Sequence, residues 1–115
     1  MSITILHNPR CSKSRQTLDL LRQQDVEPVI REYLKDPLSA DELVQLIRQL
    51  GIEAKTLVRF KEDEFKASGL DISSASEAQL VQAMVNTPKL MERPVVITTK
   101  GARIGRPPES VLEII

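Results

Sequence analysis

Apolar and polar positions recur along the chain with different periods, and these periods predict its elements. Residues 3–6, Ile-Thr-Ile-Leu, are β-branched and apolar and predict a short buried strand. Residues 17–24 read as helix, with Leu18 and Leu21 on one face and Leu20 beside them. Residues 27–33, Glu-Pro-Val-Ile-Arg-Glu-Tyr, predict a second strand, so the chain opens as a β-α-β unit. Ser39 precedes Glu42 at the spacing of a capping box. Leu43, Leu46, Ile47 and Leu50 then repeat at helical intervals, and Gly51 stands where a helix stop belongs. Residues 52–69 predict one or two short helical pieces ending at Gly69. Ser76 and Gln79 repeat the capping-box spacing, with Leu80, Val81, Met84 and Val85 as an apolar face and Pro88 as the stop. Residues 94–99, Pro-Val-Val-Ile-Thr-Thr, predict a strand, Lys100-Gly101 a hairpin turn, and residues 102–105 its partner strand. Pro107 and Pro108 suit the first turn of a last helix, anchored by Val111, Leu112 and Ile115.

This order is β-α-β, then several helices, then a β-hairpin and a helix. A mixed four-stranded sheet with helices on both faces satisfies it. The expected fold is therefore α/β, a thioredoxin-like sheet with a helical insertion between its halves. No repeat, low-complexity run or linker interrupts residues 1–115, which read as a single domain with one modest core.

Composition narrows the function. Sixteen Lys and Arg balance 16 Asp and Glu, which argues against general nucleic-acid binding. The aromatic residues are Tyr33, Phe60 and Phe65, with no Trp, too few to build base-stacking platforms. No run approaches the roughly 18 apolar residues of a membrane span. The N-terminus carries no basic segment followed by a long apolar run, so no signal peptide is expected. One cysteine cannot form an internal disulfide, and the expected location is cytoplasmic. One Cys and one His also make a dedicated metal cage unexpected.

The chemistry concentrates in residues 7–18, His-Asn-Pro-Arg-Cys-Ser-Lys-Ser-Arg-Gln-Thr-Leu. A strand ending at His7 and a helix beginning near Cys11 put the thiol at a helix N-terminus, with either Asn8 or Ser12 as N-cap. Free N–H groups and the helix dipole favour an anion there, and Arg10, Lys13 and Arg15 add positive charge. Such surroundings lower a cysteine pKa from about 8.5 into a range of about 3.5 to 7.5, and a thiolate at neutral pH is a nucleophile. A lone cysteine is more often a small buried hydrophobe, but this context is too polar and cationic for that. His7 is either a partner that tunes the thiolate or a strand-end residue that only packs. The hydroxyls of Ser12 and Ser14, with the amides between them, are candidates to cradle an oxyanion. The loop is neither a Walker loop, lacking the glycines, nor a cysteine-phosphatase loop, since Thr17 stands where that loop needs Arg. Cys11 to Ser14 matches the Cys-x-x-Ser spacing of monothiol redox proteins.

Three further arginines stand out. Arg59 lies in a short helical piece, and Arg93 and Arg106 each precede a proline, Pro94 and Pro107. A cis bond before Pro94 would aim Arg93 into the cleft that holds the thiol. Arginine grips tetrahedral oxyanions through a fixed fork of donors. The plainer alternative is three unrelated surface arginines.

Taken in order, these residues resemble the glutaredoxin-coupled arsenate reductases over nearly the whole chain. That family opens with a strand and His-Asn-Pro-x-Cys, matched by His7, Asn8, Pro9 and Cys11, then Ser-Arg before a Leu-rich helix, matched by Ser14, Arg15 and Leu18. Its Pro-x-x-x-Glu-Leu helix start is echoed by residues 37–47, its Leu-x-Arg by Leu57 and Arg59, and its two Arg-Pro pairs by Arg93-Pro94 and Arg106-Pro107. The resemblance implies Cys11 as nucleophile on arsenate and Arg59, Arg93 and Arg106 as the oxyanion clamp. The reading of the loop adds Ser12 and Ser14 as substrate-binding candidates, with His7, Arg15 and Pro94 in support. Two departures bear on substrate choice. Better known members have Gly-Thr after the cysteine and a small residue before it, where this chain has Ser12, Lys13 and Arg10. They also carry a longer tail, so the chain resembles a housekeeping branch.

One cysteine leaves no internal resolving thiol, so the reductant must come from outside. The resemblance implies glutathione and then glutaredoxin, with no bound cofactor or metal. Two other readings stay open. A regulatory adaptor on the same fold is disfavoured because Ser14 stands where a Cys-x-x-Cys switch would place its second cysteine. A monothiol glutaredoxin-like disulfide-exchange enzyme would not need three converging arginines.

Overall fold

The computed structural model describes residues 2–115, and the chain forms two compact units. The first joins Met1–Asp36 to Arg93–Ile115, and the second is Pro37–Glu92. The first unit is a four-stranded mixed sheet in the order β2-β1-β3-β4. Its strands are β1 (Thr4–Leu6), β2 (Val29–Arg31), β3 (Val95–Thr98) and β4 (Gly101–Ile104), and α1 (Ser12–Gln23) links the first two. β1 pairs parallel with β2, while β3 runs antiparallel to both β1 and β4. This is the expected thioredoxin-like sheet.

Alternation along the strands builds the core. Ile5 faces Val96 across the β1–β3 pair. Both are buried, and Leu18 and Leu21 of α1 and Val111 and Ile114 of the C-terminal segment close over them. Two details differ from expectation. The hairpin turn is Thr99-Lys100 rather than Lys100-Gly101, because Gly101 still pairs with Thr98. The last segment, Pro108–Ile114, is a 3-10 helix. Its three-residue period buries Pro108, Val111 and Ile114 and leaves Leu112 exposed. Ile115 packs at the core margin as expected. Thr98 Oγ1 donates to the Ile114 carbonyl at 2.7 Å, tying this segment to β3.

The helix read over residues 17–24 begins five residues earlier, at Ser12. The polar first turn hid this start, since Ser12, Lys13 and Ser14 offer no apolar periodicity.

The second unit is helical: α2 (Ala40–Leu50), α3 (Ala54–Leu57), α4 (Asp63–Ala67) and α5 (Glu77–Asn86), then a 3-10 turn at Pro88–Leu90. Both capping boxes form. Ser39 accepts from the Glu42 amide while Glu42 accepts from the Ser39 amide, and Ser76 and Gln79 do the same. Gly51 ends α2 in the left-handed conformation at φ 69°, where a Cβ would be strained. Glu77 Oε1 accepts from the Ala54 amide at 2.9 Å, joining α5 to the start of α3. The chain leaving the 3-10 turn runs back beside residues 57–59. Val58 and Met91 form an antiparallel bridge, the Arg59 amide donates to the Leu90 carbonyl, and the Glu92 amide donates to the Leu57 carbonyl. This return fixes the backbone that carries Arg59.

Ser39→Ala removes the side-chain half of the α2 capping box, and its expected cost is about 1 kcal/mol. Denaturant titration should show a lower midpoint with an unchanged slope.

Candidate active site

Cys11 is itself the N-cap of α1, at φ −94° and ψ 123°, so neither Asn8 nor Ser12 fills that position. The reason lies in the preceding turn. Asn8 Oδ1 accepts from the Arg10 amide at 3.0 Å and the Asn8 carbonyl accepts from the Cys11 amide at 3.0 Å. Asn8 thus spends its side chain on a local turn, and the helix starts only after Cys11, whose carbonyl accepts from the Arg15 amide at 3.0 Å. The sulfur stands over the first turn without a complete capping hydrogen bond.

The thiol's pKa is lowered from its ordinary value. Burial pushes it up, and this is the largest single influence. The Ser14 amide, the Arg93 side chain and its charge, and the Lys13 amide together outweigh it. Each stabilises the thiolate by placing a donor or a positive charge near the sulfur.

Ser14 sits beneath this loop. Its side chain is fully buried. Its Oγ accepts from the Asn8 amide at 3.0 Å and lies 2.7 Å from His7 Nδ1. With that acceptor role filled, the hydroxyl proton is available to a neutral imidazole. The Ser14 hydroxyl expected at the substrate is therefore turned into the protein, and only its backbone amide faces the sulfur. Ser12 is exposed on the first turn, as are Arg10 and Lys13. Arg15 Nη1 donates to the Pro9 carbonyl at 2.8 Å, bracing the loop from the helix side. His7 is buried and its pKa is lowered. Burial leads, Glu32 opposes it, and Arg22 and Arg15 add to the lowering. It is a neutral hydrogen-bond partner of Ser14 near pH 7, not a charged neighbour of the thiolate.

Two of the three arginines meet Cys11 within the sheet unit. Arg106 Nη2 lies 3.9 Å from the sulfur, and Arg106 Nε donates to the Arg93 carbonyl at 2.8 Å. Arg93 Nε is buried with no hydrogen-bond acceptor among the described residues. Native structures rarely leave such a donor unpaired, since each costs about 1–3 kcal/mol. The bonds Arg93-Pro94 and Arg106-Pro107 are both cis.

Gly105 makes the pairing of these arginines sterically possible. Its amide donates to the Pro94 carbonyl at 2.8 Å. A Cβ there would fall 2.7 Å from Thr17 Oγ1 and 2.8 Å from Pro94 Cγ. Only glycine lets the segment before Arg106 lie this close to Pro94 and α1. Sequence reading took Gly105 as the last residue of a strand. Its position directly before an Arg-Pro pair was the available signal.

Arg59 belongs to the helical unit. Its Nη2 pairs with Glu62 at 2.9 Å and its Nε with Glu92 at 3.2 Å. Neither carboxylate was singled out from the sequence, because both lie among many charged positions.

Among the described residues, no cluster of three or more His, Cys, Asp or Glu is placed to hold a metal, and no helix is long and apolar enough to cross a membrane.

A thiol of lowered pKa at a helix N-terminus beside two arginines, on a thioredoxin-like sheet, has the character of a thiol-dependent enzyme's site. The model of the ArsC family matches residues 6–114, and the chain belongs to that family. Among relatives, the uncharacterized protein YfgD of Escherichia coli K12 is 54% identical over 114 residues, 98% of this chain and 96% of that one. An arsenate reductase of Haemophilus influenzae is 44% identical over 116 residues, the full length of both. Among solved structures, the arsenate reductase from Vibrio cholerae superposes with a TM-score of 0.96 at 47% identity, covering 100% of this chain and 98% of that one.

Two outcomes test the site's electrostatics. In Arg93→Ala the midpoint of the Cys11 alkylation rate against pH should move up, since a stabiliser of the thiolate is gone. For His7, the folded pKa lies below the unfolded value of 6.5, so the unfolded chain binds more protons between the two. Its contribution to stability is complete above about 6.5 and is lost as pH falls through the lower folded value. The wild-type minus His7→Gln difference in unfolding free energy, measured across pH 4–8, should fall on that acid side.

Proposed function

We propose that the chain is an arsenate reductase that uses Cys11 as nucleophile and takes its electrons from external thiols. The observation that carries the reading is the Cys11–Arg93–Arg106 arrangement, with Arg93 Nε buried and unpaired among the described residues next to a thiol of lowered pKa. A tetrahedral oxyanion supplies the acceptor that Arg93 Nε lacks, and the same positive charge favours the thiolate that attacks it. Membership of the ArsC family and the activity named for its relatives support the substrate.

In this reading arsenate, or a similar small oxyanion, is held by Arg93, Arg106 and the amides after Cys11, with exposed Ser12 at its margin. The Cys11 sulfur bonds to arsenic as one oxygen leaves as water, and arsenic stays As(V). Glutathione then displaces a second oxygen as water, forming a second S–As bond. Glutaredoxin attacks the glutathione sulfur. An S–S bond forms, that S–As bond breaks, and its electron pair stays on arsenic as As(III). Water releases arsenite and regenerates the Cys11 thiol. Two external thiols become one disulfide, and their two electrons account for the reduction. With a single cysteine in the chain, the disulfide forms between the two external thiols. The reading needs no bound cofactor, and it places the reaction in the cytoplasm, where such thiols are kept reduced.

Arsenate-dependent turnover with glutathione and glutaredoxin tests it. Wild type should turn over, and Cys11→Ser should fall to background. Arg93→Ala should lose arsenate turnover while keeping exchange with a glutathione mixed disulfide. No arsenate turnover by the wild type, with a reactive Cys11 still present, would remove the assignment.

A further inference from the structure

Thr17 stands six residues after Cys11, on α1, and takes no part in the reaction proposed above, yet it is fully buried. Its Oγ1 donates to the Lys13 carbonyl at 2.8 Å, one helical turn back. A threonine in a helix divides between two rotamers according to such a bond, so the bond fixes where its two branches lie. Both border Gly105. A Cβ on Gly105 would fall 2.7 Å from Thr17 Oγ1, 3.2 Å from Thr17 Cγ2 and 2.8 Å from Pro94 Cγ. Gly105 is therefore held between a stiff β-branched wall on α1 and the Pro94 ring, and its amide donates to the Pro94 carbonyl at 2.8 Å.

Each arginine beside Cys11 is one residue away from this contact. Arg106 follows Gly105, and Arg93 precedes Pro94. Arg106 Nε donates to the Arg93 carbonyl at 2.8 Å, which joins the two segments. The sulfur is served by the same helix turn. The Lys13 and Ser14 amides help to lower the Cys11 pKa, and they belong to the turn that Thr17 Oγ1 grips. Thr17 thus touches both halves of the site, the turn beneath the thiol and the segments that carry the guanidinium groups. The 3.9 Å separation of Arg106 Nη2 from the sulfur is spanned by this chain of contacts. Interiors are close-packed, so such contacts transmit position rather than absorb it.

We propose that Thr17 is a positioning residue, whose two branches set the Arg93–Arg106 pair at its distance from the Cys11 sulfur. Its role toward arsenate rests on the reaction proposed above, whereas its role toward the thiolate does not. A residue that only filled the core would change stability and leave both untouched.

Two readouts test this: the pH midpoint of Cys11 alkylation by iodoacetamide, and arsenate protection against that alkylation, which needs no reductant and yields an apparent affinity. Thr17→Ala should raise the midpoint and weaken arsenate protection about threefold to tenfold, the scale expected when reacting groups are slightly misplaced. Thr17→Ser loses only Cγ2 and keeps the bond to Lys13. It should show the same changes at reduced size, and it serves if Thr17→Ala fails to fold. Gly105→Ala should impair both readouts at least as much as Thr17→Ala. Adding Thr17→Ala to Gly105→Ala removes the two Thr17 atoms that the new methyl meets. The double variant should therefore improve on Gly105→Ala alone, although each change by itself is harmful. Wild-type values of both readouts in folded Thr17→Ala overturn the positioning role, as does a double variant no better than Gly105→Ala. If wild type shows no arsenate protection while the midpoint still rises in Thr17→Ala, the arsenate reading fails and the positioning role stands.

Discussion

The buried hydroxyl of Ser14 is the fixed point of the active-site loop. It joins three elements in one place: the end of the first strand through His7, the turn through the Asn8 amide, and the first turn of α1, on which it sits. Because Ser14 is fully buried, these bonds do not compete with water and their geometry is well defined. The Asn8 turn can then close under Arg10, the helix begins after Cys11, and the amides of Lys13 and Ser14 face the sulfur. The neutral state of His7 belongs to the same arrangement, since its burial opposes protonation.

Charge is distributed to match. Over the chain the charges cancel, but locally they are sorted. Arg93 and Arg106 lie at the thiol, with their mutual contact made through a backbone carbonyl rather than a carboxylate. Arg59 is instead paired with Glu62 and Glu92. The buried Arg93 Nε, which has no hydrogen-bond acceptor among the described residues, favours an arriving anion, whereas the charge of Arg59 is compensated by its two carboxylates.

Much of the fold was legible in the sequence because it rests on local rules. Ser39 with Glu42 and Ser76 with Gln79 mark capping boxes by spacing alone, and Gly51 marks a left-handed stop. The β-branched runs mark β1 and β3. What escaped was set by tertiary fit or by absence of periodicity. The start of α1 is polar, and its N-cap was settled by what Asn8 does in the turn before it. The hairpin turn moved by one residue because Gly101 can still pair. Leu112 was misplaced because an α-helical period was assumed where the chain takes a threefold one. At the site, Cys11, Arg93 and Arg106 were legible as types in a pattern. That the Ser14 hydroxyl turns inward to His7 and the Asn8 amide, and that Gly105 admits no side chain, depend on neighbours that sequence spacing does not identify.

The direction in which the loop is anchored has a consequence for how such a site changes over time. Its geometry is secured by Ser14 and His7 beneath it, by the Asn8 side chain, by Arg15 from the helix side and by main-chain groups, while Arg10, Ser12 and Lys13 are exposed. The side chains at those three outer positions take no part in holding the sulfur in place. In the proposed reaction, substitutions there would change the surroundings of the arriving anion while leaving the bonds that place the nucleophile intact, so reactivity and preference could be revised separately.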